Sequence, residues 1–396
     1  MYEINGAIIE AWKKSGGISS ISFLFPGGSA IDPEGREGLS RLVSEMILGG
    51  YEGFSGEKFL RRVEGLGEVN SLADFDFIMV NLVAENENVL ELIELIFRVF
   101  YSPAIEPEEI ERAKKKIIGD LNAISNSPSE FAEYLLPFYV FRDHPYGHHP
   151  LGKEESIESI SKDDLEKYFN SLTERGLYIG IVSPEPDEIL LHIEKHLENL
   201  KLQHKKLNLP APYYRRGMEI IYKEGISQSY VESVGYLPPV YLLNEPALLI
   251  FNAAYGGSFT SRLVQKIRVE NGLTYSIHSM PEWRKVVTLL RVSTSTLEEN
   301  RVIELIEEEW ERVQRGITES EFERAKEYVL GSFPIKFEGA ENVSFFLARR
   351  LYYGLENGTV YEFIERLRKV ELKDIEKIAL KLSREHFTLV LSPSTS

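Results

Sequence analysis

The chain contains the stretch Glu111-Arg112-Ala113-Lys114, with Gly119 five residues later, and repeats it as Glu323-Arg324-Ala325-Lys326 with Gly331. The second copy follows the first by 212 residues. Three shorter stretches repeat in the same order, with offsets of 221, 213 and 210 residues; they begin at Ser40, Glu91 and Asp164 and recur from Ser261, Glu304 and Asp374. Offsets that differ only by loop lengths indicate that one large module has been duplicated, rather than a solenoid of short repeats.

The duplication predicts two domains, as expected for 396 residues, because single cores rarely grow beyond about 250–300 residues. We place the N-terminal repeat at residues 1–202, a polar, helix-breaking linker with His204-Lys205-Lys206 and Pro210-Ala211-Pro212 at 203–216, and the C-terminal repeat at 217–396. Apolar periodicity predicts strands at residues 18–25, 75–83, 176–182, 230–236, 274–279 and 287–293. It predicts helices at residues 37–47, 55–65, 86–100, 107–123, 162–171, 245–255, 259–269, 299–315 and 319–330. This order predicts an α+β fold, in which each domain is a mostly antiparallel β-sheet with helices packed on one face.

Composition restricts the partners and the compartment. The net charge of −17 argues against a nucleic-acid partner, because phosphate binding requires a basic surface. No run of about 18 apolar residues indicates a membrane span, and the first five residues lack the pattern of a signal peptide. The chain has no cysteine, which excludes disulfides and thiolate metal sites. We therefore expect a cytoplasmic protein without a membrane partner.

Residues 38–46 have the setting of a metallopeptidase metal helix without its ligands. An inverted zincin carries H-x-x-E-H, in which the two histidines hold zinc and the glutamate activates water. Here Arg41 and Glu45 stand at the histidine positions and Ser44 at the glutamate position. Arg41 would repel zinc, and Ser44 is no general base. The stretch thus predicts a degenerate zinc site, with no metal in this chain.

Three further stretches carry a resemblance to a known family. They are PEGREGL at residues 33–39, HPYG at 144–147 with LG at 151–152 and ESI at 155–157, and GGSFTSRL at 256–263 running on to IRVENGLTYS at 267–276. Together with the duplication they resemble the pitrilysin/insulinase-type zinc peptidases, above all short subunits such as those of the mitochondrial processing peptidase. The resemblance covers essentially the whole chain and implies the LuxS/MPP-like metallopeptidase fold.

The resemblance also implies roles for particular residues. In that family the second half supplies an arginine and a tyrosine, seven residues apart, that contact the substrate near the scissile carbonyl; Arg268 and Tyr275 match them. The family's third zinc ligand, a glutamate, corresponds to Asp120, which is one methylene shorter. The implied function is that of a noncatalytic, substrate-binding subunit of a heteromeric zinc endopeptidase, inactive alone. A homologous subunit with H-x-x-E-H would be its partner and would hold the zinc.

Several alternatives stay open. One alternative is a structural homologue without a proteolytic role, like the core subunits of the respiratory bc1 complex. Another is an autonomous peptidase with an unrecognised metal site. For the Arg268 and Tyr275 pair, the alternative is that Arg268 pairs with Glu270 while Tyr275 packs in the core. The family's edge strand corresponds to residues 67–73 and would recruit an extended peptide. The alternative is that this strand has only a structural role.

Two groups of histidines resemble metal ligands. His192 and His196 are four apart on a probable helix, but Lys195 stands where an inverted zincin has its glutamate. We expect this helix face to be solvated. The histidines at 144, 148 and 149 lie among proline and glycine, so we expect them to support turns.

Overall fold

The computed structural model describes residues 1–200, 202–203 and 205–394, so His204 of the predicted linker lies outside the described residues. The strands are β1 (Tyr2–Ile4), β2 (Ala7–Lys13), β3 (Ile18–Pro26), β4 (Gly50–Tyr51), β5 (Phe54–Ser55), β6 (Gly67–Ala73), β7 (Phe77–Glu85), β8 (Leu177–Ser183), β9 (Gly217–Lys223), β10 (Ser229–Leu237), β11 (Ile277–Trp283), β12 (Thr288–Thr296) and β13 (His386–Pro393). The helices are α1 (Leu39–Ile47), α2 (Gly56–Glu64), α3 (Val89–Tyr101), α4 (Pro107–Asn126), α5 (Pro128–Val140), α6 (Glu154–Ser159), α7 (Lys162–Leu172), α8 (Pro186–Leu197), α9 (Glu245–Asn252), α10 (Glu299–Gln314), α11 (Glu319–Lys336), α12 (Ala340–Tyr353), α13 (Val360–Lys369) and α14 (Leu372–Lys381).

The two large sheets have the same topology. The first has the strand order β1-β2-β8-β3-β7-β6, and the second has the order β9-β13-β10-β12-β11. Apart from β1, the orders correspond strand by strand, and each sheet has one parallel pair, β2 with β8 and β9 with β13. Their other pairings are antiparallel. The predicted duplication of a mostly antiparallel α+β domain is therefore confirmed.

The chain folds into two compact units that each combine segments of both predicted halves. The first unit contains Met1–Asn122, His148–Leu209 and Lys336–Thr359, and the second contains Ala123–Gly147, Pro210–Ile335 and Val360–Ser396. Consequently α12 belongs to the first unit and α5 to the second. These helices begin 212 residues apart, which is also the offset between the stretches that begin at Glu111 and Glu323. They are therefore equivalent helices of the two halves, and each belongs to the compact unit formed mainly by the other half.

In the first unit, β3 is buried on both faces. Phe23 packs on α3 in the main core, whereas Ser20 and Ser22 point to α12, where the hydroxyl of Ser344 lies 2.9 Å from each of theirs. Gly180 on β8 lets α12 approach, since a Cβ there would lie 1.9 Å from the carbonyl oxygen of Ser344. Small side chains on this face thus make room for a helix backbone. The helical layer on this second face was not predicted.

In the second unit, α5 covers a buried group of charges on β10, β11 and β12. Arg291 pairs with Glu282 at 2.7 Å and with Glu133 of α5 at 2.9 Å, while Glu232 lies 3.9 Å away. The Ser293 hydroxyl donates to Glu232 at 2.6 Å. Burial raises the pKa of Glu232 to about 8, against the attraction of Arg291. The folded structure therefore favours the neutral form of Glu232 more than water does.

Several predicted elements differ from the structure in their bounds, and one differs in its helix type. The strand predicted at 274–279 begins only at Ile277. The helix predicted at 259–269 is largely a π-helix, Val264–Glu270, and the helix before it ends in a second π-helical segment, Ala253–Gly257. Among residues 1–200, 202–203 and 205–394, no helix combines the length and apolar content that a membrane span requires.

Candidate functional site

Asp32 fixes the start of α1, the helix that carries the degenerate zinc positions. Its carboxylate accepts hydrogen bonds from the backbone N–H of Gly38 at 2.8 Å and of Ser40 at 2.9 Å. Gly38 has a φ of 95°, which favours glycine there. Burial raises the pKa of Asp32, against the opposing effects of His148 and of these backbone donors. These two hydrogen bonds hold the first turn of α1 to the Asp32 side chain.

The side chains at the degenerate zinc positions form one ionic network in the first unit. Nη2 of Arg41 donates to Oε1 of Glu45 at 2.5 Å and lies 3.4 Å from Oδ2 of Asp120. Oε2 of Glu45 accepts a hydrogen bond from Nζ of Lys116 at 2.7 Å. Nη1 of Arg41 donates to the Ser44 hydroxyl at 3.3 Å, and that hydroxyl donates to the Arg41 carbonyl at 2.8 Å. The structure therefore brings all four sequence-predicted positions together.

This set of side chains does not fit a zinc ion. Zinc takes neutral imidazole, thiolate or carboxylate ligands, whereas a guanidinium offers only N–H donors. Both oxygens of Glu45 already face cations, one from Arg41 and one from Lys116. These two cations balance the carboxylates of Glu45 and Asp120. The positive charge that a metal would bring is thus supplied by the protein itself.

Lys116 is the member of this network that the sequence analysis missed. It lies four residues before Asp120 on α4, so both side chains emerge on one face of that helix. The sequence signal that could have identified Lys116 is its position four residues before Asp120, a predicted ligand position. Only the packing of that face beside α1 identifies its partner as Glu45.

The predicted substrate-binding residues lie on the π-helix Val264–Glu270 and just after it. Gly272, with a φ of 65°, follows the end of this helix. The backbone N–H of Leu273 donates to the carbonyl of Ile267 at 3.1 Å, which closes the turn. Arg268 is therefore held on a helix end, and Tyr275 on the short connection into β11.

Arg268 and Tyr275 contact each other at the surface of the second unit. The guanidinium carbon of Arg268 lies 5.5 Å from the centroid of the Tyr275 ring, a cation–π geometry. The Tyr275 side chain is 88% exposed, so the alternative in which it packs in the core is wrong. Glu270 pairs with Lys266 at 3.2 Å.

The strand predicted as an edge lies at the edge of the first sheet. β6 pairs with β7 on one side and ends the strand order on the other. Its residues alternate between exposed and half-buried, and α1 packs against it. The predicted edge strand at residues 67–73 is confirmed.

One of the two predictions about histidines agrees with the structure and the other does not. The backbone N–H groups of Tyr146 and Leu151 donate to Nδ1 of His144 and His149 at 3.1 and 3.2 Å, so these histidines support turns as predicted. The solvated helix face predicted for His196 is wrong. Its ring stacks on Phe97 of α3, with centroids 4.6 Å apart.

Family models match both halves of the chain. The model for "Insulinase (Peptidase family M16)" matches residues 9–154, and the model for "Peptidase M16 inactive domain" matches residues 159–329. The chain belongs to peptidase family M16. The resemblance inferred from the motifs is therefore confirmed. Within this family the chain is an inactive homologue, since Arg41, Ser44 and Glu45 replace all three residues of the zinc motif.

Relatives match the chain over most of its length. An "uncharacterized zinc protease YmxG" of Bacillus subtilis is 23% identical, over 93% of this chain and 91% of the relative. The "non-peptidase homolog YmxG" of Helicobacter pylori is 24% identical, with 94% and 89% covered. The beta subunit of the mitochondrial-processing peptidase of Lentinula edodes is 21% identical, with 89% and 80% covered. Because these names include both proteases and non-peptidases, the names alone do not indicate whether this chain is active. The residues at the positions of the zinc motif do.

Solved structures confirm the fold. A "peptidase M16 inactive domain" structure from Pseudomonas fluorescens superposes with a TM-score of 0.87 at 17% identity, covering 99% of this chain and 97% of that one. A chain of "Complex III2 from Candida albicans" superposes with a TM-score of 0.81 at 14% identity, covering 98% and 95%. At these identities the likeness concerns the fold alone.

Proposed function

We propose that this chain is the noncatalytic, peptide-binding subunit of a heteromeric zinc endopeptidase. Its partner would be a homologous chain that carries H-x-x-E-H and holds the zinc. The observation that carries the proposal is the pair formed by a half-buried Arg268 and an exposed Tyr275. This chain has replaced its own metal with Arg41, but it keeps two donors of the kind that peptide hydrolysis requires.

The chemistry of the pair suits a substrate carbonyl. Hydrolysis of a peptide bond builds negative charge on the carbonyl oxygen, and a fixed donor aimed at that oxygen contributes roughly 10²–10³ in rate. Arg268 offers a permanently charged, planar donor, and Tyr275 offers a neutral hydroxyl. Phe259 and Val269, in the same signature stretch, are also exposed, at 76% and 62%. Exposed apolar side chains beside such donors suit contact with a peptide or a partner chain.

A peptide would bind as an added strand. The outer edge of β6 belongs to no further strand pair in the part of the chain that the structure describes. Edges of this kind recruit extended peptides through main-chain hydrogen bonds. Since α1 packs against β6, the peptide would lie beside the helix that carried the metal ligands in zinc-bearing members.

Relatives from multi-subunit proteins support a heteromer. One of the relatives is named as a beta subunit, and one of the similar structures is part of Complex III2. The second of these favours an alternative, in which the chain is a structural subunit without a proteolytic role. The two functions differ in whether Arg268 and Tyr275 affect turnover.

The test is reconstitution with a zinc-bearing family M16 chain from the same source. We expect the complex to cleave peptides and the isolated chain to cleave none. Arg268→Ala should lower kcat/KM about 10²–10³-fold and Tyr275→Phe about 10-fold, without preventing assembly on size-exclusion chromatography. Matched controls are Arg301→Ala, at an exposed arginine, and Tyr213→Phe, at a tyrosine that is 83% exposed. Equal turnover in all four variants would establish the structural role instead.

A further inference from the structure

A second group of metal-ligating side chains lies in the first unit, between α3 and α8. His192 and His196 are on α8, and their ring centroids are 5.0 Å apart. Nε2 of His196 lies 3.0 Å from Oε2 of Glu94 on α3. One ligand atom from each of the three residues lies within 4.8 Å of the other two. These residues are different from those of the degenerate zinc position on α1.

The surroundings of His196 hold its ring in one orientation. The ring stacks on Phe97, with an interplanar angle of 11°. The Tyr101 hydroxyl lies 2.7 Å from the His196 carbonyl and 3.1 Å from Nδ1. Because a hydroxyl has one proton, which is donated to the carbonyl, the Tyr101 oxygen accepts from Nδ1–H. Nε2 of the neutral ring then points its lone pair at the carboxylate of Glu94.

Two acceptors that face each other at 3.0 Å need a positive charge between them. Protonation of His196 is one source of that charge. A bound cation is the other source, and it would use both lone pairs. The tautomer set by Tyr101 is the one that a metal ligand requires.

His192 supplies a third ligand. Its Nε2 is buried and has no hydrogen-bond partner among the residues that the structure describes. A buried polar atom without a partner is uncommon and calls for an explanation such as an ion. The other oxygen of Glu94 accepts a hydrogen bond from Nε of Arg98 at 3.0 Å, which orients the carboxylate. The Glu94 side chain is 38% exposed, so an ion can reach the site from solvent.

We propose that Glu94, His192 and His196 bind a divalent transition-metal ion of the zinc class. Two histidines four apart on a helix present their rings on the same face, and two histidines with one glutamate form a known zinc ligand set that leaves a position for water. Zinc–ligand distances of about 2.0–2.2 Å place neighbouring ligand atoms roughly 3.3 Å apart, so small side-chain rotations suffice. The ion would join α3 to α8 as a structural ligand, without a role in the degenerate motif.

The test is zinc titration of the full chain, without a histidine tag, by isothermal calorimetry near pH 7.5. We expect one zinc ion per chain, and an affinity about 100-fold lower in His192→Gln and in His196→Gln. Glu94→Gln should weaken binding at least about 10-fold. The matched control is His386→Gln, because His386 also lies beside a carboxylate, 3.5 Å from Glu307, and this substitution should leave zinc affinity unchanged.

Cobalt provides a second measurement that does not depend on the variants. Wild-type protein loaded with Co²⁺ should show the strong visible absorption of a four-coordinate ion with nitrogen ligands, and added zinc should remove it. Circular dichroism without metal establishes that each variant folds. The proposal is overturned if the wild-type chain binds zinc no more tightly than the His192→Gln/His196→Gln double variant, or if Co²⁺ shows only the weak spectrum of the hexaaqua ion.

Discussion

Replacing Arg41 by methionine tests whether its guanidinium stands in for the missing metal charge. Methionine keeps most of the length of the side chain and removes the cation. Glu45, only 6% exposed, would then keep a single cationic partner, Lys116 at 2.7 Å. Removal of one partner from a buried ion pair costs about 3–5 kcal/mol. Since Lys116 remains and Arg41 is itself 15% exposed, we expect Arg41→Met to lower the free energy of unfolding by about 2–3 kcal/mol.

A double substitution separates the charge from the packing. In Arg41→Met/Glu45→Met both charges are absent, and replacement of a buried pair by apolar side chains is often neutral or stabilising. We therefore expect the double variant to lie within about 1 kcal/mol of the wild type. The single variant Glu45→Met completes the double-mutant cycle, which gives the coupling energy between the two positions. The matched control is Arg61→Met, because Arg61 also lies 2.5 Å from a glutamate four residues away, but both partners are 76% exposed. That substitution should cost less than about 0.5 kcal/mol.

Urea denaturation followed by circular dichroism measures these free energies, and hydrogen exchange of the peptide that covers α1 localises the change. The slope of the transition should stay constant, which shows that the unfolded state is unaffected. If Arg41→Met costs no more than Arg61→Met, or if the double variant is less stable than both single variants, the guanidinium does not replace a metal charge.

Two further predictions concern the two sheets. Burial raises the pKa of Glu232 to about 8 from 4.5, so between these values the folded state keeps a proton that the unfolded state has lost. Stability should therefore fall as pH rises from about 4.5 to about 8, by up to roughly 5 kcal/mol from this group, and Glu232→Gln should flatten that dependence in urea titrations across this range. Gly180→Ala would place a Cβ 1.9 Å from the carbonyl of Ser344 and should cost about 1–3 kcal/mol or more, whereas Gly119→Ala, with nothing within 4 Å, should stabilise α4 by up to about 1 kcal/mol in thermal denaturation.

The central strands could be predicted from the sequence because each is a short stretch with β-branched and aromatic residues between segments that contain glycine or proline. The prediction at residues 18–25 differs by one residue at one end from β3, and the prediction at 230–236 differs by one residue at each end from β10. The exchange of α5 and α12 could not be predicted in this way. Whether an amphipathic helix packs on the sheet of its own half or of the other depends on contacts more than 100 residues away, for which local periodicity has no signal.

The candidate site was predictable to different extents in its two parts. The family motif placed Arg41 beside Glu45 and Asp120 through a resemblance, and the geometry agrees. The π-helix that carries Arg268 was predicted as an ordinary helix, since one extra residue per turn leaves the apolar pattern almost unchanged over so short a segment. His196 was predicted to be solvated because nothing in α8 itself shows that Phe97 of α3 covers the ring.

The arrangement around Arg41 explains how a peptidase fold survives the loss of its metal. A metal helix brings carboxylates into a poorly solvated position, where they repel one another unless a cation lies between them. Losing zinc alone would leave that repulsion unbalanced. Arg41 and Lys116 remove it, and they do so with covalently attached groups that a chelator cannot extract. A single Arg41→His reversion would therefore leave one histidine with Ser44, a Glu45 paired to Lys116 and a shortened Asp120. That set holds too few competent ligands for zinc, so one substitution does not restore the metal site.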